Sequence, residues 1–120
     1  MVYDVLNSIG GGDNMRICIP VKEKDGLNSR VAKKLRTAKA FAIIDMESPS
    51  QIDDIRFIDA ENLEKGEIIP FLASHGIDLF VVNEITEEDK NTILDMGIDI
   101  VTDAFGRINT VLEKLFTEGV

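Results

Sequence analysis

One cysteine and one histidine in 120 residues leave little material for the metal and redox centres that proteins build from clustered thiolates and imidazoles. A lone Cys18 forms no internal disulfide and cannot supply the several thiolates that iron–sulfur clusters usually take from their protein, so any bound cluster needs other ligands. No run of about 18 apolar residues is present to span a bilayer. The opening MVYDVLNSIGGGDN has neither the basic start nor the continuous apolar stretch of a secretory leader. These absences predict a cytoplasmic chain with no membrane partner. Positive charge is scarce as well: 13 Lys and Arg stand against 22 Asp and Glu, a net charge of −9. General nucleic-acid binding relies on Lys and Arg neutralising phosphates, so nucleic acid is excluded as a partner on this balance.

The scarcity is uneven. Residues 15–40 hold eight Lys or Arg against two acids, a net of +6, whereas residues 41–120 carry −13 and the first fourteen −2. Five of the basic residues, Arg30, Lys33, Lys34, Arg36 and Lys39, fall within RVAKKLRTAKAF. A short basic element on an acidic body attracts anions at that one place, over about 8 Å at physiological salt.

The length and the 44% hydrophobic content suit a single domain. Residues 1–14 end in Gly-Gly-Gly-Asp-Asn, a spacer composition, and are expected to be a flexible extension ahead of a domain at 15–120. MRICIPV reads as a first strand stopped by Pro20. AFAIIDM and QIDDIRFIDA read as a second and third strand, joined through Ser48, Pro49 and Ser50 into an antiparallel hairpin. The period then changes. ENLEKGEIIPFLASHG carries Ile68, Ile69, Leu72 and Ala73 at helical spacing, with Pro70 in the first turn and Gly76 as the stop. IDLFVVNEI is a continuous apolar run expected of a strand buried on both faces. TEEDKNTILDMG offers Thr86 as N-cap, acids in the first turn and Gly97 as its end. IDIVTDA gives a last strand and GRINTVLEKLF a last helix. The order βββαβαβα predicts a mixed five-stranded sheet covered by helices on both faces, an α/β three-layer domain.

In such sheets ligands lie outside the carboxyl ends of the parallel strands. Three loops qualify: 22–39 after the first strand, Val82 to Thr86 after the fourth, and Thr102 to Arg107 after the fifth. Convergence of these loops would bring Asn83 and Asp103 to the basic stretch, although Thr86 and Asp103 also read simply as helix caps. His75, ahead of a helix-ending glycine, fits a capping role at the helix dipole. Cys18 fits a small buried apolar residue. Asp45, Asp53, Asp54 and Asp59 invite comparison with two-metal nucleases, yet the first strand has no acid at its middle, so no enzymatic activity is expected.

IxIPV, then LNSRVAxxxxxAxxFAIID, then HGIDLFVVNEI and DMGIDIV resemble the dinitrogenase iron–molybdenum cofactor biosynthesis family, over Met15 to about Phe116. That resemblance implies a ribonuclease H-like α/β/α fold and a role in holding iron–sulfur or iron–molybdenum clusters, or their precursors, during nitrogenase-type cofactor assembly. Family members typically carry Pro-His-Phe-Gly-Arg-Ala where this chain has Lys33-Lys34-Leu35-Arg36-Thr37-Ala38. The family histidine becomes Lys34, whose ammonium has no lone pair for a metal, and the family glycine becomes Arg36. Further departures are Lys65-Gly66 in place of a His-Gly pair and Asn83-Glu84 in place of a glycine-rich turn.

The expected site is therefore electrostatic: Arg30, Lys33, Lys34, Arg36 and Thr37, with Asn83 and Asp103, holding an anionic metallocluster or other small anion through charge-assisted hydrogen bonds. Metal ligands are not identified. The competing reading makes residues 31–38 a short helix with Val31, Leu35 and Ala38 on the core and the basic residues as its wet side. At the level of function the alternatives are a transient metallocluster carrier and a regulatory or adaptor module whose basic segment 30–39 binds a small anion or an acidic protein.

Overall fold

The computed structural model describes residues 15–48 and 51–118. The expected extension at 1–14 and the turn residues Pro49 and Ser50 lie outside them. Five strands, β1 (Met15–Val21), β2 (Ala40–Ser48), β3 (Gln51–Asp59), β4 (Leu79–Val81) and β5 (Asp99–Val101), alternate in their second half with helices α1 (Ile68–Ser74), α2 (Glu87–Asp95) and α3 (Ile108–Glu118). The sheet order is β3-β2-β1-β4-β5. β2 is antiparallel to both β1 and β3, with Cys18 opposite Ile43, whereas β1, β4 and β5 run parallel. The mixed sheet and element order are those expected from the sequence.

Period-two alternation decides which face each strand residue serves. Ile17, Ile19, Val21, Ala42, Ile44, Leu79 and Val81 point to one side, where Ile108, Val111 and Leu112 of α3 cover them. Cys18, Phe41, Ile43, Phe80 and Val82 point to the other, against Ile68, Phe71 and Leu72 of α1 and Ile93 of α2. The result is three layers with an apolar filling on each side of the sheet. Pro70 sits in the first turn of α1, where its missing N–H has no helical partner to lose. Gly76 and Gly97 follow α1 and α2 with φ of +64° and +82°, left-handed values that side chains with a Cβ resist. Among the described residues no helix is long and apolar enough to cross a membrane.

Two local expectations need correction. β1 does not stop at Pro20 but runs through it to Val21, with Pro20 opposite Phe41. The Pro20 carbonyl accepts from Ala32 N at 2.8 Å, away from β2. In a strand the N and the C=O of one residue point the same way, so the ring nitrogen faces the loop beyond the end of the β1–β4 ladder, and no ladder bond is lost. Nor do residues 31–38 form a helix. They are extended, with bridges Val21 to Val31 and Lys34 to Glu84, and only Leu35–Thr37 closes a single 3-10 turn. Val31, Leu35 and Ala38 are buried as that reading required, but Val31 serves the α3 side and the other two the α1 and α2 side. Strand-like crossing of the sheet's end, not helical periodicity, produces that pattern.

Candidate functional site

β1, β4 and β5 end at Val21, Val81 and Val101, and the three loops that follow them meet. In the first loop, buried Ser29 fastens the turn: its Oγ accepts from Asp25 N at 2.7 Å and donates to Gly26 O at 2.8 Å. Backbone bonds then tie loop to loop, Val31 N to Gly106 O at 2.8 Å and Glu84 N to Lys33 O at 2.9 Å. Asn83 joins the other two: its Nδ2 donates to Ala104 O at 2.8 Å and its carbonyl accepts from Asp103 N at 2.9 Å. Asp103 adopts φ of +65°, a left-handed conformation that aspartate tolerates better than most residues. The N–H groups of Ile108 and Asn109, which the start of α3 would otherwise leave open, donate to Ser29 O and Leu27 O. The end of α3 is thus closed by the first loop.

A hollow of about 330 Å³ lies at this junction, lined by Lys22, Arg30, Val31, Lys33, Asn83, Ala104, Phe105 and Gly106. Its charged lining is entirely cationic. Arg30 Nε bonds Glu23 Oε1 at 2.8 Å; that hydrogen bond holds the Glu23 carboxyl below its usual range and raises the guanidinium. Lys33 Nζ is 3.6 Å from Glu84, with both side chains at least half exposed, a pair that water and salt screen strongly. Lys22 makes no ion pair among the described residues.

The remaining members of the basic stretch face elsewhere. Because the segment is extended, successive side chains alternate, and Lys34 opens onto a second hollow of about 240 Å³ shared with Leu35, Arg36, Ile85, Thr86 and Asp89. There Arg36 is held by both carboxylate oxygens of buried Asp89, the second bond at 3.3 Å. This hydrogen bonding, helped by the charges of Asp89 and Glu88, raises the guanidinium further despite some desolvation. Arg36 is thereby committed to a structural partner. Thr37 Oγ1 donates to Lys34 O at 3.3 Å and lines neither hollow. Asp103 contributes its backbone to the loop junction while its exposed side chain lies outside both. Of the seven expected site residues the fold brings Arg30, Lys33 and Asn83 together, puts Lys34 and Arg36 next door, and leaves Thr37 and the Asp103 side chain aside.

Two participants escaped the sequence reading. Lys22 follows β1 directly, at the position where strand-end ligands are expected, and Phe105 is a large aromatic in a polar loop, outside any helical or strand period. Those were the available signals. Thr86, by contrast, is the cap it was read as, its Oγ1 accepting from Asp89 N at 3.2 Å.

The other candidates sit apart from the hollow. Cys18 is fully buried in mid-sheet, and burial pushes its thiol far above the usual range. His75 caps α1, its Nδ1 donating to Phe71 O at 3.0 Å and its ring 4.1 Å from that of Phe71. Its carbonyl accepts from Arg16 Nη1 at 2.8 Å, at the amino end of β1 and so at the opposite end of the sheet. There Arg16 also bonds Asp45 at 2.7 Å, and this bond with the nearby acids raises its own pKa. Arg16 lines a shallow hollow there with Asp45, Asp53, Asp54 and Asp78. Among the described residues no three of His, Cys, Asp and Glu come together as a metal site.

Nothing among curated proteins matches the chain. Solved structures do. PH0822 superposes with a TM-score of 0.76 at 23% identity, covering 87% of this chain and 92% of its own. The apo form of the orange protein from Desulfovibrio gigas gives 0.71 at 15% identity, covering 88% and 90%. A NifB-type protein from Thermotoga gives 0.67 at 21%, covering 88% and 89%. At these identities the likeness is one of fold. The family model described as "Dinitrogenase iron-molybdenum cofactor" matches residues 15–118. With nearly the whole described chain inside that match, the protein belongs to the dinitrogenase iron–molybdenum cofactor family.

Proposed function

We propose that this protein is a non-enzymatic carrier domain that transiently holds an anionic metallocluster, of iron–sulfur or iron–molybdenum type or a precursor of one, in nitrogenase-type cofactor assembly. The observation that carries the reading is the cationic lining of the strand-end hollow, Lys22, Arg30 and Lys33 beside Asn83. The residues fit attraction of an anion, and they do not fit ligation. Ammonium and guanidinium groups donate hydrogen bonds but have no lone pair for iron near neutral pH, and the family histidine is replaced by Lys34. Each exposed cation about 4 Å from a negative charge contributes roughly 1 kcal/mol in water and somewhat more where the wall excludes solvent. Three such groups, roughly 3–4 kcal/mol together, amount to millimolar retention on their own. That suits a hand-over step better than storage, and it makes binding salt-sensitive.

The test is anaerobic mixing of the full chain with iron–molybdenum cofactor or its iron–sulfur precursor, followed by chromatography and absorbance. Complex formation that weakens with salt and disappears in a Lys22→Glu, Lys33→Glu double variant is expected. No complex at low salt would remove the reading, as would iron held by a side-chain nitrogen between positions 33 and 37.

A further inference from the structure

A metallocluster has no use for a flat apolar platform, yet one stands at the edge of the cationic hollow. Phe105 is 66% exposed, the most exposed large apolar side chain among the described residues; the others, Leu94 and Met96, belong to the end of α2. It lines the same hollow as Lys22, Arg30 and Lys33. Lys114 Nζ stands 4.9 Å from the centre of its ring, an attraction that one face can supply while most of the ring stays in solvent. Neighbouring Ala104 and Gly106 are too small to cover it. A planar ligand laid on the ring would take more of its apolar surface out of water.

We propose that the hollow also binds a nucleoside phosphate, with the base stacked on Phe105 and the phosphates among Lys22, Arg30 and Lys33. Three features support this class together. Of the three cations in the lining, Arg30 is paired with Glu23, Lys33 has only an exposed, screened pair with Glu84, and Lys22 makes no ion pair among the described residues, which leaves two charges open to a di- or triphosphate. The volume of about 330 Å³ is at the small end of ligand sites, roughly 300–1,000 Å³, so the phosphates fit inside and the base lies over the rim, where Phe105 is. Asn83 spends one amide hydrogen on Ala104 and keeps its Oδ1 and the second hydrogen for a sugar hydroxyl or a base edge. A free nucleotide is favoured over a polynucleotide because the chain's net charge of −9 repels a long polyanion everywhere but here. The proposal shares its cationic wall with the carrier reading and adds a ligand that this reading does not need.

Calorimetric or NMR titration of the full chain with ADP, adenosine and pyrophosphate tests it. ADP should bind more tightly than either fragment. Phe105→Ala should weaken ADP by about tenfold and leave pyrophosphate unchanged, whereas Phe105→Trp should retain ADP. Lys22→Glu with Lys33→Glu should weaken ADP and pyrophosphate alike. Exposure of Phe105 means its replacement leaves the fold intact, which circular dichroism verifies. ADP binding no tighter than pyrophosphate, or indifference of ADP to Phe105→Ala, overturns the proposal. Cluster loading is measured on the same Phe105→Ala protein and should be unaffected. If ADP fails while clusters load, this inference falls alone; if clusters fail while ADP binds through Phe105, the carrier reading falls and this one stands.

Discussion

Removing Arg36 should destabilise the protein while leaving anion binding at the hollow intact, because its charge is already spent on Asp89. The Asp89 side chain is 11% exposed and that of Arg36 40%. A charged hydrogen-bonded pair contributes about 1.5–3 kcal/mol. The exposure of Arg36 moves the expectation to the low end, since water screens the half of the guanidinium it reaches. Arg36→Met therefore costs about 2 kcal/mol, most of it from stranding a carboxylate in a largely dry wall. Asp89→Asn costs about 1 kcal/mol, through a weaker bond and the loss of a negative charge in the first turn of α2. The double variant should cost little more than Arg36→Met, which gives a coupling near 1 kcal/mol by a urea-denaturation cycle and a lower melting temperature by about 4 °C per kcal/mol. Titration of Arg36→Met with pyrophosphate or cluster should match the unmodified protein. A coupling under about 0.3 kcal/mol, or loss of anion binding in Arg36→Met, refutes the reasoning.

Two further outcomes follow from the same structure. Thr86→Ala removes the acceptor for Asp89 N and should cost about 1 kcal/mol with Thr86→Ser close to neutral, read from thermal melts; equal stability of all three proteins would show that the cap is idle. Cys18 carries the clearest pH signature: its folded pKa is raised by burial, so the stability it contributes is fully present below the unfolded thiol's value and is lost as pH rises above it. From about pH 8.5 the unfolded chain releases the proton that the native thiol keeps, and stability should fall by about 1.4 kcal/mol per pH unit. Unfolding free energies from urea melts at pH 7.5 and at pH 10, compared with Cys18→Ala to cancel other titrations, should differ by about 2 kcal/mol; parallel behaviour of the two proteins would contradict the burial argument.

Local chemistry made most of the framework readable in advance. Apolar alternation in MRICIPV and AFAIIDM, Thr86 ahead of three acids, and glycines at 76 and 97 act within a few residues of themselves, and the fold keeps each one. The errors arose where a distant partner outweighs a neighbour. Pro20 looks like a strand end until the direction of its carbonyl is known, and Val31, Leu35 and Ala38 have helical spacing only because an extended segment crosses from one face of the sheet to the other. The family resemblance held over residues 15–118.

The amino-acid order alone settled the order of strands and helices and that positive charge gathers between residues 15 and 40. It could not divide that charge. Whether a given cation meets solvent, a carboxylate or a hollow depends on what other elements place opposite it, and here α2 brings Asp89 to Arg36 while the loops after β4 and β5 bring Asn83 and Phe105 to Lys22, Arg30 and Lys33. Proximity across about 50 to 83 residues of chain is a property of packing, and packing decided which part of a basic stretch lines the hollow.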